Sequence, residues 1–257
     1  MNHNAMTFIE TAQLIPAAPP KEMAELTAAP TPIDLSTLPD AVVTGNTLID
    51  FSKSAPESRG PLSLALTFAT LAANGAVGLD ASEDEWFASY KSNLMLLGLD
   101  VSPSTFTHST FRKKGLAVHE AIIPFLTIAL GGVGVGPVIL ALLENLKAQD
   151  QNQPWIRLFD QQSKRFETKE IYLGAVSTNS LETRMRHVAA RLNVDDRETS
   201  ILFFKINDSA VDFESATTNI IGNNQFLAVL EKPLRERLGQ MARDAILAAK
   251  LVGVDPG

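Results

Sequence analysis

Residues Ala121–Leu143, AIIPFLTIALGGVGVGPVILALL, carry no charged side chain, and how they are read decides the fold. On length alone the stretch can cross a bilayer. However, Gly131, Gly132, Gly134, Gly136 and Pro137 stand in its middle, where each Gly costs a helix about 1 kcal/mol and Pro about 3 kcal/mol. Two shorter helices, 116–130 and 137–147, fit better, with Pro137 in a first helical turn. A nucleotide-binding loop fails on spacing. GGVGVG lacks the G-x-G-x-x-G pattern, follows a predicted helix rather than a strand, and has no suitable acidic residue about 20 positions later. The stretch reads as a buried pair of helices, apolar on most faces, packed against something flat.

The flat partner is predicted further along, in TSILFFKIND (199–208). There Ile201 and Phe203 alternate with Leu202, Phe204 and Ile206, so the strand is apolar on both faces and covered on both sides. Upstream, AVVTGNTLIDF (41–51) predicts a strand or loose hairpin around Gly45-Asn46. RGPLSLALTFATLAANGA (59–76) predicts a helix with Pro61 in its first turn and Gly75 as its C-terminal cap. Its small polar side chains, Ser63, Thr67, Thr70 and Asn74, form one narrow stripe, so the helix is mostly buried. SEDEWFASYKSNLMLLG (82–98) predicts its antiparallel mate. Ser82 and Glu85 form a capping box, Trp86, Tyr90, Leu94 and Leu97 line one face, and Gly98 ends it.

Beyond Pro154, PWIRLFD and RFETKEIYLGAV read as strands joined by a polar turn. NSLETRMRHVAARL (179–192) reads as a helix with Leu181, Met185, Val188 and Leu192 on its apolar face. A last helix is predicted over 224–250, with Leu230, Leu234, Leu238, Met241 and Ala245 along one side. These elements imply an α/β (α+β) fold: a single layered domain, 41–257, whose largely antiparallel central sheet is wrapped by helical hairpins. The hairpins lie one on each face, or both on one face with the last helix opposite. Residues 1–40 form a Pro/Ala-rich leader with no sustained periodicity. It is expected to be extended and largely unpacked, and is a candidate pro-segment.

Composition removes several function classes. A net charge of −7 argues against nucleic acid as a partner. The absence of cysteine removes disulfides, thiolate nucleophiles, Cys-type zinc sites and thioester lipidation. The N-terminus has no basic region followed by an apolar run, so release or export would follow a non-standard route. No catalytic constellation is present, and no enzyme activity, cofactor or metal is expected. His119-Glu120 begins like a zinc-protease helix, but Ile123 stands where the second His is needed. No G-x-S-x-G elbow occurs. Asp195, Asp196 and Glu198 read as a solvated turn, and so does Asn207-Asp208-Ser209. His187, near Arg184, Arg186 and Arg191, reads as the polar face of a helix or as an anionic-headgroup contact. Arg112, Lys113 and Lys114 adjoin the apolar pair, an arrangement that suits a membrane surface.

ILFFKINDSAVDF (201–213) resembles the late core strand and Asp-Ser-Ala turn of the Cyt-type cytolytic δ-endotoxins. The preceding order is also similar: an apolar helical pair with a Gly-rich middle, a polar linker, and an aromatic segment at PWIRLF. The same fold group includes the fungal volvatoxins and the Erwinia virulence factor family, and the resemblance covers about residues 118–214. It implies one domain with helical hairpins around an antiparallel sheet, trimming of the terminal segments, and direct action on lipid membranes without a protein receptor. Two departures stand out. The helix predicted at 180–192 replaces a shorter connection, and without Cys the thioester-held fatty acid of the virulence-factor branch is ruled out. A noncovalent fatty acid between sheet and helices stays compatible with the sequence. The expected partner is a lipid membrane or that fatty acid, with a homo-oligomer forming on membranes. Candidate lipid-facing or ligand-lining residues are Ile122, Phe125, Leu126, Leu130, Val138, Leu142, Tyr172 and Phe203. Headgroup candidates are Arg112, Lys113, Lys114, Arg184 and Arg191.

Overall fold

The β-branched run that begins the predicted domain forms the expected hairpin. Strands β1 (Ala41–Thr44) and β2 (Thr47–Lys53) pair antiparallel, with Val42 opposite Ile49. The structure, a computed structural model, describes residues 2–16, 34–35, 37–44, 47–78, 81–111, 137–144, 153–163, 169–193 and 211–249. Six further strands complete the sheet: β3 (Asp100–Val101), β4 (Thr107–Phe111), β5 (Lys169–Thr178), β6 (Glu182–Asn193), β7 (Val211–Asn223) and β8 (Ile246–Ala248). The order is β3-β7-β6-β5-β2-β1-β8, with β4 also on β7. Among the described pairings only β2 with β5 is parallel, so the sheet is mixed but largely antiparallel, as expected.

Helices cover both faces. On one lie α2 (Pro56–Val77), α3 (Glu83–Leu96) and α6 (Asn224–Leu238), packed on Val42, Ile49, Phe51, Tyr172, Val176, Met185, Ala189 and Ile220. On the other lie α4 (Pro137–Glu144) against β2 and α5 (Pro154–Ser163) against β1, β5 and β8. The α2–α3 hairpin and α4 therefore take opposite faces, and the C-terminal helix joins the hairpin's side. The capping box of α3 forms as predicted, with Glu85 N–H donating to Ser82 Oγ and Glu85 Oε2 accepting from Ser82 N–H.

Four local expectations are corrected. Residues 182–193 are a strand, not a helix: Thr183, Met185 and His187 are buried while Arg184 and Arg186 are exposed, a period of two that the i, i+4 spacing of Met185 and other apolar residues disguised. PWIRLFD is helical, because Trp155, Ile156, Leu158 and Phe159 bury at i, i+1, i+3 and i+4, with Pro154 in the first turn. The last helix stops at Gly239 (φ 51°), restarts briefly as α7 (Gln240–Ala245), and gives way to β8. Finally, α2 begins five residues before Pro61 and runs through Gly75 to Val77, with Gly78 (φ 82°) as its cap. The predicted helix over 116–130, residues 145–147 and the strand at 199–208 lie outside the described residues.

The leader is more packed than its composition suggests. Its first residues form α1 (Asn2–Thr11), which buries Ala5 and Ile9. Phe8 stands edge-on to Phe68 at 5.5 Å. Arg237 donates to the Ile9 and Ala12 carbonyls, satisfying two acceptors that a helix end leaves open. Ile15 N–H donates to Leu71 O, and Asn74 Nδ2 donates to Ile15 O. Asn74, placed in the polar stripe by the sequence, is buried and also accepts from the Trp86 indole at 2.8 Å. Leu35 and Leu38 are buried further along the leader.

Gly75 explains how the leader lies so close to α2. A methyl group there would sit 1.9 Å from Gln13 O, which is backbone and cannot swing aside. Gly75→Ala is expected to lift residues 13–15 off α2 and lower Tm, despite the gain of about 1 kcal/mol in helix propensity. Limited proteolysis would show residues 1–16 lost faster than in the parent. A raised Tm would mean that this segment is not docked.

Candidate functional site

The alternation in β5 and β6 sends one set of side chains toward α3. In register, Glu170 faces Arg191, Tyr172 faces Ala189, and Gly174 faces His187, which in turn pairs with Thr218 on β7. Above them, α3 presents Trp86, Phe87 and Tyr90 from adjacent turns. The rings interleave: Trp86 stacks on Tyr90 at 5.4 Å and on Tyr172 at 5.8 Å, and Tyr172 lies 5.2 Å from His187. Phe87 and Tyr90 close over His187 at 6.2 Å and 6.0 Å. Such contacts between rings add about 0.5–1.5 kcal/mol each beyond buried area.

Arg191 ties this layer together. Its Nε donates to Glu170 Oε1 at 2.9 Å and its Nη1 to Asp84 Oδ1 at 2.7 Å, with Glu83 Oε2 at 3.9 Å. The guanidinium also lies 3.8 Å from the centre of the Phe106 ring, in cation–π range. Thus a sheet residue is clamped to the acidic first turn of α3, whose carboxylates already suit the positive end of the helix dipole. Glu170 is wholly buried. Burial pushes its carboxyl above the usual range, and the Tyr172 hydroxyl and Arg191 pull in the opposite direction. Burial alone drives His187 down to about 4 and raises the Tyr90 hydroxyl. Tyr172 is raised by burial and by the neighbouring Glu170.

Several polar atoms in this layer are buried without a hydrogen-bond partner among the described residues, Tyr90 Oη, His187 Nε2, Thr218 Oγ1 and Arg191 Nη2, whereas the Tyr172 hydroxyl faces the Glu170 carboxylate. Unpartnered groups cost about 1–3 kcal/mol each, so this layer is where the α3–sheet contact is energetically most exposed to change. No cluster of potential metal ligands occurs among the described residues. The arrangement is a sealed, ionisable fastening between a helical hairpin and a sheet.

The sequence candidates divide between the two faces. Tyr172 and Arg191 meet under α3. Val138, half-buried, and Leu142, buried, lie on α4 across the sheet. Arg184 is exposed and paired with Glu182. Arg191, being committed to Glu170 and Asp84, meets a headgroup only if α3 leaves the sheet. Ile122, Phe125, Leu126, Leu130, Phe203, Arg112, Lys113 and Lys114 lie outside the described residues. His187, read as part of a polar helix face, is instead a core residue of β6. Glu170 was missed altogether. Its signal was the match of K-E-I-Y to A-A-R-L across a hairpin, visible only once 182–193 is a strand.

No protein-family model matches this chain, and no curated protein matches it. Among solved structures it is similar to a delta-endotoxin, at 13% identity and a TM-score of 0.35, over 81% of this chain and 91% of that one. It is also similar to the Evf virulence factor, at 8% identity and a TM-score of 0.34, over 76% of this chain and 74% of that one. Both neighbours fall in the fold group that the sequence resembles. At these scores neither likeness carries weight for function, which rests on this chain's own residues.

Proposed function

We propose that this chain is a membrane-active, cytolysin-like virulence protein that acts on lipid bilayers after its helical hairpins leave the sheet. One observation carries the reading: α2, 22 residues long, is apolar enough to cross a membrane, yet it is mostly buried against the sheet. At 1.5 Å per residue it is about 33 Å long, the thickness of a hydrocarbon core. Asn74, which bonds Ile15 O and the Trp86 indole, and the Arg191 clamp on its mate α3 make the packed state specific. Swinging the hairpin away would deliver apolar surface to lipid and relieve the unpartnered polar atoms beneath it. The activity needs no catalytic residue, and oligomers would form on the membrane. The leader, residues 1–40, is the proposed pro-segment, since α1 and Leu35 cover α2 and α6. Export by a non-standard route is part of the same proposal.

A reversible lock tests it. Ser58 Oγ, in the first turn of α2, lies 3.0 Å from Thr178 Oγ1 at the end of β5, close enough for a disulfide between cysteines at these positions. The chain has no other cysteine. Dye release from anionic and zwitterionic vesicles is expected from the chain trimmed of residues 1–40 and from its reduced S58C/T178C form, and is expected to stop when the pair is oxidised. Folded protein that releases no dye from either vesicle, with or without residues 1–40, would overturn the reading.

A second reading is a noncovalent fatty-acid or small hydrophobic ligand carrier. It is favoured by the unpartnered buried atoms of Tyr90, His187 and Thr218, which could hold a ligand's polar end. Native mass spectrometry of purified protein would show an adduct of constant mass if it holds.

A further inference from the structure

Asp50 stands on β2, on the face that carries α4, and is buried (2% exposed). Its Oδ2 accepts from Val138 N–H at 2.7 Å and from Ile139 N–H at 3.4 Å, and its Oδ1 accepts from Ser52 N–H at 2.8 Å. Val138 and Ile139 are the second and third residues of α4, whose N–H groups have no partner within the helix. The local sequence offers no substitute. Gly136 has no side chain to cap with, and Pro137 has no N–H. A carboxylate 88 residues away in sequence therefore serves as the helix's N-terminal cap, and its charge faces the positive end of the helix dipole.

Buried Ile139, Leu142 and Leu143 add apolar contacts to the attachment of α4. Glu170, His187 and Arg191 all belong to the opposite face, so Asp50 is the buried charge on this one among the described residues. It also marks a break in the sheet: the register of β2 against β5 shifts between Asp50 and Lys53, where Ser52 N–H is given to the Asp50 carboxylate.

We propose that Asp50 is the latch that holds α4 on the sheet, a positioning residue whose charge governs release of α4 from that face. This deepens the membrane reading above and rests on it for its consequence, but the latch itself can be read without lipid. The test is amide hydrogen exchange on the full chain in solution, parent against Asp50→Asn, which keeps size and shape. Losing one charge-assisted pair is expected to speed exchange at Val138 and Ile139 by about 10-fold or more. Amides of the β5–β6 pairing, such as Val188, should be unchanged, which verifies that the variant is folded. Asp50→Glu, whose longer arm misplaces the carboxylate, should fall between the two. Unchanged exchange at Val138 and Ile139 in folded D50N would overturn the latch, whatever the protein does to vesicles. Faster exchange without vesicle leakage from either protein would keep the latch and remove the membrane reading.

Discussion

Arg191→Met is expected to lower the unfolding free energy by about 3–5 kcal/mol at neutral pH, the range found when one member of a buried ion pair is removed. The reason is the residue left behind. Glu170 is fully buried, and its nearest cation would be gone. Its carboxyl is already raised by burial while Arg191 opposes the rise, so in the variant it must titrate higher still. A carboxyl raised in the folded state favours folding in acid, below its unfolded value of 4.5, and loses that contribution as pH climbs through the folded value. The deficit of the variant should therefore be smallest in acid and grow toward neutrality. Urea unfolding at several pH values would show this directly. The paired change Glu170→Leu with Arg191→Met should recover most of the loss, because apolar replacements of a whole buried pair are often neutral or better. A deficit independent of pH, or none, would mean that the Tyr172 hydroxyl alone suffices to hold the Glu170 carboxylate.

His187 should produce an opposite pH dependence. Enclosed by Phe87, Tyr90 and Tyr172, it is held neutral, with its pKa lowered by burial from 6.5 to about 4. The charged groups nearest on the same face, Glu170 and Arg191, are already engaged with each other. A group lowered in the folded state supports folding above its unfolded value, and that support is lost as pH falls from 6.5 toward 4. At about 1.4 kcal/mol per pH unit the loss is about 3 kcal/mol. His187→Leu should flatten this acid slope while leaving neutral stability within about 1.5 kcal/mol. Under the proposed membrane activity, the chain trimmed of residues 1–40 should release vesicle dye more readily across the same window, and its H187L variant should not. An unchanged slope in H187L would show that the acid response originates elsewhere.

The sequence exposed those parts of the fold that rest on local chemistry. The α3 capping box, its Trp86-Tyr90-Leu94 face, the pairing of β1 with β2 and the start of α4 at Pro137 all depend on residues close together in sequence. What stayed hidden depends on distant partners. The β6 segment contains Met185 and Val188 at helix-like spacing, and only the exposure of Arg184 and Arg186 against buried Thr183, Met185 and His187 reveals a strand. The same error concealed the polar cluster, because Glu170 and Arg191 become neighbours only through strand pairing. Asp50 was equally illegible. A lone Asp in an apolar run looks like an edge or a turn, and its purpose appears only when the N-terminus of α4 arrives from elsewhere in the chain.

The position of β1 has a consequence for how the molecule is made. One neighbour, β2, follows it almost at once, while the other, β8, is among the last described residues, with Val42 opposite Ala248 and Thr44 opposite Ile246. Closing a contact across about 200 residues is slow, and it cannot occur before the C-terminal strand has left the ribosome. Until then the outer edge of β1 offers unpaired backbone to any extended chain, including another copy. A nascent chain stalled before Ile246 would thus carry both the sticky edge and the apolar helices with the sheet incomplete. Completing synthesis and covering the open edge of β1 are therefore the same event.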